Sequence, residues 1–293
     1  MRLSALAPGK VNLCLLVGRP RDDGRHELVT VLESVSLADR LTLTTGGYSD
    51  EIHCPGVTGP NLATQALAAL REAGWDAPPV CIEIDKRVPV AGGMGGGSAD
   101  AAAVLRMALH VTEPPPGTVA EIAASLGSDV PGQLVPGTMR ATGAGESVQA
   151  LEPLPPHAFV LVPLPHHLRT ADVYAEADRL GLPREDAELV SLSQEVGAGF
   201  DGRFPLPRPM LVNDLEPAAV SLCPEIEEVL EAVRGCGADH AMVCGSGPTV
   251  AGVHWGDNAG ARAVAAALSL AERYPAAVPA EPVGTAFGMP RPD

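Results

Sequence analysis

Residues 89–99 read Pro89-Val-Ala-Gly-Gly-Met-Gly-Gly-Gly-Ser-Ala99, and five of the six positions from 92 to 97 are glycine. The stretch joins a short β-type segment, Val80 to Ile84, to a helix expected from about Ser98 to Leu109. In that helix Ala101, Val104, Leu105 and Ala108 recur at helical spacing. Glycine lets backbone amides approach an anion with no Cβ in the way. The helix start adds unpaired N–H groups and the positive end of its dipole. Such a turn holds a polyphosphate without a basic surface. Two better-known phosphate loops do not fit. The GxxxxGK[ST] pattern lacks its lysine, and GxGxxG fails because Ser98 stands where its third glycine would be. The plain alternative is a flexible linker, but linkers seldom sit tightly between a strand and a well-patterned helix.

Working outward, Val11 to Val17, Leu28 to Val35 and Leu41 to Thr45 read as strands, with a polar turn at Arg19 to Gly24. Asn61 caps an expected helix carrying Leu62, Ala63, Ala66, Leu67 and Leu70 on one face. Thr118 and Glu121 form a capping-box pattern for a helix ending near Gly127, and a loop follows at Ser128 to Pro131. Pro153, Pro155 and Pro156 mark the best boundary, dividing the chain into domains at 1–152 and 153–293. Beyond it the pattern predicts a strand at Phe159 to Val162, a helix from about Asp172 and a loop from Gly197 to Pro209. A helix at Glu225 to Arg234, a strand at Thr249 to His254 and a helix at Ala259 to Leu268 complete the series. The mixed order predicts an α+β protein of two domains.

Composition narrows the function. Hydrophobic residues make up 46% of the 293 and charged residues 19%, which is globular rather than disordered. Aromatics are only 3%, so Val, Leu, Ala and Ile must fill the core, and 29 prolines with 32 glycines argue against a helical bundle. A formal charge of −16 repels nucleic acid and anionic membrane. Among 20 cationic residues only Lys10 and Lys86 are lysines, and both flank the strongest motifs. Lys86 reads either as a neighbour of the nucleotide or as a solvated lysine at a strand end. The six cysteines show no CxxC and no Cys/His pairing at zinc spacing, which argues against a structural metal, and most read as small buried residues. No signal peptide opens the chain, and no apolar run approaches the roughly 20 residues of a membrane span. A soluble, cytoplasmic protein with neither nucleic-acid nor membrane partners is expected.

Three further segments accompany the glycine loop: Ala7-Pro-Gly-Lys-Val-Asn-Leu13, Gly127-Ser-Asp-Val-Pro131 and Cys244-Gly-Ser-Gly-Pro-Thr249. Together they resemble the ordered motifs of the GHMP kinases. With Asp23-Gly-Arg-His-Glu27 and Asn213-Asp-Leu-Glu-Pro217, the series is similar to the diphosphocytidyl-methylerythritol kinase family over about residues 3 to 255. The resemblance implies an N-terminal α+β domain and a C-terminal ferredoxin-like domain with the active site in the cleft between. It also implies transfer of the ATP γ-phosphoryl group, with Mg²⁺, to the 2-hydroxyl of a diphosphocytidyl sugar alcohol, by a monomer or homodimer.

Residue by residue, the resemblance makes Lys10 and Asp129 catalytic, Asp129 as base and Lys10 as its orienting cation. Without it, Asp129 reads as a turn residue capping local amides. Pro89, Val90, Ala91, Gly92, Gly93, Met94, Gly95, Gly96, Gly97, Ser98 and Ala99 would bind ATP, Ser98 meeting phosphate or Mg²⁺ unless it is only an N-cap. Asn12, Arg25, His26, Thr170 and Tyr174 fall at substrate positions, although His26 alone reads as a surface turn histidine. Arg25 stands where the family usually has tyrosine, and Ala99 replaces a serine. Asn213 to Pro217 reads as structural. The competing readings are a GHMP kinase for another alcohol, such as homoserine, mevalonate or a sugar, and a non-catalytic nucleotide-binding relative.

Overall fold

From Ala7 to Gly18 every residue of the first strand is buried. Side chains alternate across a strand, so an unbroken buried run means that both faces are covered. The computed structural model, which describes residues 1–57, 59, 61–199 and 210–293, shows how. The elements of the first half are β1 (Arg2–Pro20), β2 (His26–Thr45), β3 (Glu51–His53), α1 (Leu62–Glu72), β4 (Val80–Asp85), α2 (Gly96–Val111), α3 (Thr118–Leu126), α4 (Val130–Gln133), β5 (Thr138–Gly143) and β6 (Ser147–Ala150). The second half contains β7 (His157–Val162), α5 (Thr170–Leu180), α6 (Asp186–Gly199), α7 (Glu216–Leu222), α8 (Glu225–Gly235), β8 (His240–Val243), β9 (Val250–Trp255), α9 (Ala259–Leu270), β10 (Val278–Ala280) and β11 (Arg291–Pro292).

The first sheet runs β11-β1-β2-β4-β3, with β5 on β2 and β6 on β5. One face packs against α1 and α2 through Leu41, Leu43, Ile82, Ile84 and the alanines of α2. The other face of β1 and β2 presents Val11, Leu13, Val29 and Val31 to Phe159, Leu161, Met242 and Val253 of a second sheet. That sheet is antiparallel in the order β10-β7-β9-β8. Its chain order of 4-1-3-2, with helices after its first and third strands, is the ferredoxin-like arrangement. Alternation on β7 divides the labour: Phe159 and Leu161 meet the first sheet, while Val160 and Val162 pack beneath the helices with Val229 and Val233. No helix among the described residues is long and apolar enough to cross a membrane.

Several sequence expectations change. Leu28 to Val35 and Leu41 to Thr45 belong to one strand, because β2 pairs with β1 nearly throughout, with β5 at Leu28–Glu33 and with β4 at Arg40–Thr45. Helix α2 opens at Gly96, its cap being Gly95 in the left-handed region rather than Ser98. The Thr118 capping box does not form, since Gly117 at φ 84° turns the chain into α3 one residue earlier. Ser128 to Pro131 is not all loop, because Val130–Gln133 makes one helical turn. Of the loop expected from Gly197 to Pro209, the first three residues end α6, and 200–209 lie outside the described residues.

One polar contact ties the two sheets together inside this apolar seam. Glu33 of β2 and His157 of β7 are both buried, with His157 Nε2 at 2.6 Å from Glu33 Oε2. His157 Nδ1 lies 2.7 Å from the Pro155 carbonyl, which can only accept, so that nitrogen carries hydrogen. Glu33 Oε1 accepts from Thr138 Oγ1 at 2.7 Å, so both oxygens of the buried carboxyl have a partner. Burial lowers the imidazole pKa, but the hydrogen bond and charge of Glu33, with the Pro155 carbonyl, outweigh it and hold the pKa above its ordinary value. A raised folded pKa contributes stability that is full below the unfolded pKa and is lost as pH rises through the folded one. His157→Ala leaves Glu33 as an unpaired buried charge and should cost about 3–5 kcal/mol in urea unfolding near neutrality. The stability gap to wild type should narrow as pH rises above about 6.5, the ordinary imidazole value, and through the raised folded one; a constant gap would show that the pair is not ionic.

Candidate active site

The glycine loop and its helix form one wall of a cavity of about 810 Å³. Nine of the eleven residues from Pro89 to Ala99 line it. The exceptions are Met94 and Ala99, both fully buried in the core. Gly93 and Gly95 adopt φ of 76° and 67°, and Ala91 is forced to 54°, a conformation an L-residue rarely holds. Because Gly95 is the cap, no side chain satisfies the start of α2. Ala99 N–H bonds the Gly95 carbonyl at 2.9 Å, while the helix itself offers no partner to the amides of Gly96, Gly97 and Ser98. All three residues face the cavity. A polyphosphate fits this donor set.

Lys10 crosses the cavity floor. Its backbone N–H bonds the Met94 carbonyl at 2.9 Å, and irregularities in the β1–β2 register on either side of Lys10 and Asn12 set off this segment. The Nζ donates to Asn12 Oδ1 at 2.7 Å and to the Gly93 carbonyl at 2.9 Å. An ammonium has three donors, so one remains for the cavity, where Asp129 Oδ2 lies 3.7 Å away. Asn12 Nδ2 donates to Thr30 Oγ1 at 2.9 Å, and Thr30 Oγ1 donates to the Cys14 carbonyl at 2.6 Å. This relay fixes the Asn12 amide with its oxygen towards Lys10. Asp129 stands at the N-cap of α4, yet its carboxylate makes no capping bond and is one-third exposed. The local-cap reading is therefore not what occupies it.

Lys86 is not a solvated strand-end residue. Its partly buried ammonium, on the cavity wall, sits between Asp39, which it contacts closely, and Asp100 at 2.7 Å. Asp39 also accepts the Val88 N–H at 2.8 Å, pinning the segment that enters the loop. Asp100 Oδ1 is buried without a partner, and burial raises the Asp100 pKa to about 7 against the lowering charge of Lys86.

A second group lines the same cavity. His26 is buried rather than at the surface; its Nε2 lies 2.9 Å from Asp178 Oδ1 and its ring 4.9 Å from that of Tyr174. Burial, then the charge of Asp129, raises the Tyr174 pKa. Thr170 and Ser246 share a hydrogen bond at 3.1 Å on the rim. Arg25 lines the cavity half-exposed, its guanidinium on Asp23 at 2.9 Å and 3.1 Å. The Asn213–Pro217 segment is structural: Asn213 Nδ2 donates to the carbonyls of Val243 and Gly245, and Asp214 pairs with Arg184.

Sequence reasoning missed Thr30, Asp39, Asp100 and Asp178. Each acts through a partner brought in from another element, for which no local pattern exists.

Comparison with known proteins agrees with this geometry. Residues 61–137 match the model of the GHMP kinases N terminal domain, and 185–272 that of the GHMP kinases C terminal domain. A 4-diphosphocytidyl-2-C-methyl-D-erythritol kinase of Corynebacterium efficiens is 43% identical over 273 residues, covering 86% of this chain and 84% of that protein. One from Streptomyces coelicolor is 40% identical over 260 residues, covering 86% and 87%. A crystal structure of 4-(cytidine 5'-diphospho)-2C-methyl-D-erythritol kinase superposes with a TM-score of 0.73 at 32% identity, over 96% of this chain and all of the other. A homoserine kinase of Cytophaga hutchinsonii, at 17% identity and a TM-score of 0.67, shares the fold. On this footing the chain belongs to the GHMP kinase family, among its 4-diphosphocytidyl-2-C-methyl-D-erythritol kinases.

Proposed function

We propose that this kinase transfers the γ-phosphoryl group of ATP to the 2-hydroxyl of 4-diphosphocytidyl-2-C-methyl-D-erythritol, a step of non-mevalonate isoprenoid biosynthesis. The observation that carries this reading is the meeting of Lys10, Asp129 and the glycine loop. A Cβ placed on Gly95 would lie 3.2 Å from the Lys10 side chain and 3.4 Å from Asp129 Oδ2. Asp129 takes the hydroxyl proton as the oxygen attacks phosphorus. Lys10 orients Asp129 and offsets negative charge on the transferring group. The amides of Gly96, Gly97 and Ser98 hold the phosphates. Ser98, at the start of α2 in the cavity wall, would help hold Mg²⁺ with the phosphates, and the ion would supply charge neutralisation beyond what the loop's amides give. His26, held at Nε2 by Asp178, lines the part of the cavity where the alcohol's cytosine would bind. Asn12 orients Lys10, Tyr174 and Thr170 close the substrate side, and the outer face of Arg25 is free to stack on the base. Residues 1–152 form the ATP-binding domain and 153–293 the second domain; the first sheet draws its strands from 2–150 and from 291–292, the second from 157–280.

The governing test is an ADP-release assay with the diphosphocytidyl alcohol, homoserine and mevalonate, in which only the first should support turnover. Asp129→Asn should lower kcat at least about a hundredfold, the lower end for a lost base, and leave the KM for ATP within a few-fold. Near-normal turnover in the folded variant would remove Asp129 from the chemistry.

Thr30→Val frees the Asn12 amide to turn away from Lys10. The expected result is a fall in kcat of about tenfold, equivalent to about 1.4 kcal/mol, with Thr30→Ser near wild type. Equal rates for the valine and serine variants would sever Thr30 from Lys10.

The loop glycines separate folding from binding. A Cβ on Gly93 would stand 2.0 Å from the Cys244 carbonyl, so Gly93→Ala should not fold normally. At Gly97 the nearest atom is Leu62 Cδ1 at 3.8 Å, so Gly97→Ala should keep its Tm. Its methyl group nevertheless crowds the phosphate amides, and the KM for ATP should rise about tenfold or more. An unchanged KM there would move the phosphate site away from α2.

A further inference from the structure

We propose that Glu51, His53 and Cys81, with Glu83 beside them, form a binding site for a thiophilic divalent cation of the zinc type on the outer face of the first sheet. Strands β3 and β4 pair in parallel, with Glu51 opposite Cys81, Ile52 opposite Ile82 and His53 opposite Glu83. Ile82 is fully buried and Ile52 packs on the same core, so alternation turns the other four side chains outward together. The donor atoms of Glu51, His53 and Cys81 lie within 4.8 Å of one another, and His53 Nε2 is 3.1 Å from Glu51 Oε2. Tetrahedral zinc with bonds of about 2.0–2.3 Å needs donors roughly 3.3–3.8 Å apart. Side-chain rotation alone closes that difference, because the backbone spacing is already set by the strand pairing.

The donor types favour zinc over magnesium or calcium. A thiol and an imidazole are soft to borderline ligands, whereas the two hard cations take oxygen. Ordinary surface chemistry accounts for a His53–Glu51 pair but not for a cysteine set among carboxylates. Glu83, opposite His53 in the strand register, stands on the same face beside the three donors. Cys14, Cys223 and Cys244 are buried, three of the six rather than most, while Cys54, Cys81 and Cys236 are only partly covered. The zinc-spacing rule misses the site because its ligands come from two strands joined through α1 and not from one turn. Downstream of β3, Cys54 and Val57 line the active cavity, and β4 runs on to Lys86 and the glycine loop. A cation here would clip together two segments that wall the cavity without entering the reaction.

The test uses the full chain stripped of metal with a chelator. Zn²⁺ is titrated by calorimetry and Co²⁺ by absorption, in excess Mg²⁺ to saturate oxygen sites. One equivalent should bind, Co²⁺ should show a thiolate charge-transfer band with tetrahedral d–d bands, and Zn²⁺ should bleach both. Cys81→Ser should abolish the band, His53→Ala should weaken binding at least about tenfold, and turnover with Mg²⁺ and ATP should stay unchanged in both. Cys223→Ser is the control, since His166, Cys223 and Glu225 make a second group of donors. A band that survives Cys81→Ser, or that Cys223→Ser removes, overturns the assignment. In the unmutated chain, Zn²⁺ should also slow alkylation of Cys81 by iodoacetamide, read by peptide mapping. Unchanged labelling would overturn the site without relying on any variant.

Discussion

The whole active site hangs on the contact between two glycine turns from opposite ends of the chain. A Cβ on Gly93 would fall 2.0 Å from the Cys244 carbonyl, and one on Gly245 would fall 2.8 Å from both the Gly93 carbonyl and Lys10 Nζ. Backbones can approach this closely only where neither carries a side chain. The approach shapes the Gly93 carbonyl into an acceptor for Lys10, and it packs the phosphate loop of the first half against the Cys244–Thr249 turn of the second. Asn213 then holds that second turn from behind through the Val243 and Gly245 carbonyls. The cleft is thus built from interlocked backbone, and the apolar seam between the sheets and the Glu33–His157 pair keep the two turns in register.

Electrostatics follow from that construction. A chain of formal charge −16 that handles a polyphosphate cannot rely on its surface. Its two lysines both reach the site, but they do different work. The charge of Lys86 is consumed by Asp39 and Asp100, so it holds the loop rather than attracting phosphate. Arg25 is likewise engaged by Asp23. Lys10 and the unsatisfied amides at the start of α2 remain as the local positive field. This explains why the loop is so rich in glycine: each residue without a side chain exposes another amide where side-chain cations are few.

How much of this was legible in the sequence depends on the range of the interaction. The Asn61 cap and the alternation of Val80, Ile82 and Ile84 are local, and the structure places them as expected; the glycine run joins β4 to α2 as expected, although Gly96 and Gly97 already belong to the helix. Lys10 and Asp129 were found only because their motifs resemble those of a family, since nothing in either sequence neighbourhood brings them to 3.7 Å. The Thr30 relay and the Asp39–Lys86–Asp100 group were invisible because every contact joins residues from different elements. Errors at element ends have a different cause. Gly95 and Gly117 in the left-handed region start α2 and α3 earlier than Ser98 or a Thr118 cap would, because a backbone turn replaced the side-chain cap. His26 looked like a surface residue for want of its partners, Asp178 and Tyr174, which arrive on α5.

The division between backbone and side chain also explains how one fold serves several alcohols. The homoserine kinase at 17% identity keeps the architecture, with a TM-score of 0.67 over 99% of this chain, so the fold by itself does not choose the acceptor. The phosphate half of the cavity rests on glycine geometry that tolerates few substitutions. The half lined by Arg25, His26, Thr170, Tyr174 and Asp178 rests on side chains carried by the β1–β2 turn, the start of β2 and helix α5. Replacing Arg25 or Thr170 costs the fold little, because both are exposed, whereas His26 is buried and Tyr174 packs on the core. Arg25 lies at the rim of the cavity with its guanidinium on Asp23, and it makes no contact with Lys10, Asp129 or the loop that the structure records. On the proposed reading, substrate choice rests on a few residues at one end of the cavity, whereas phosphoryl transfer rests on Lys10, Asp129 and the glycine contact together.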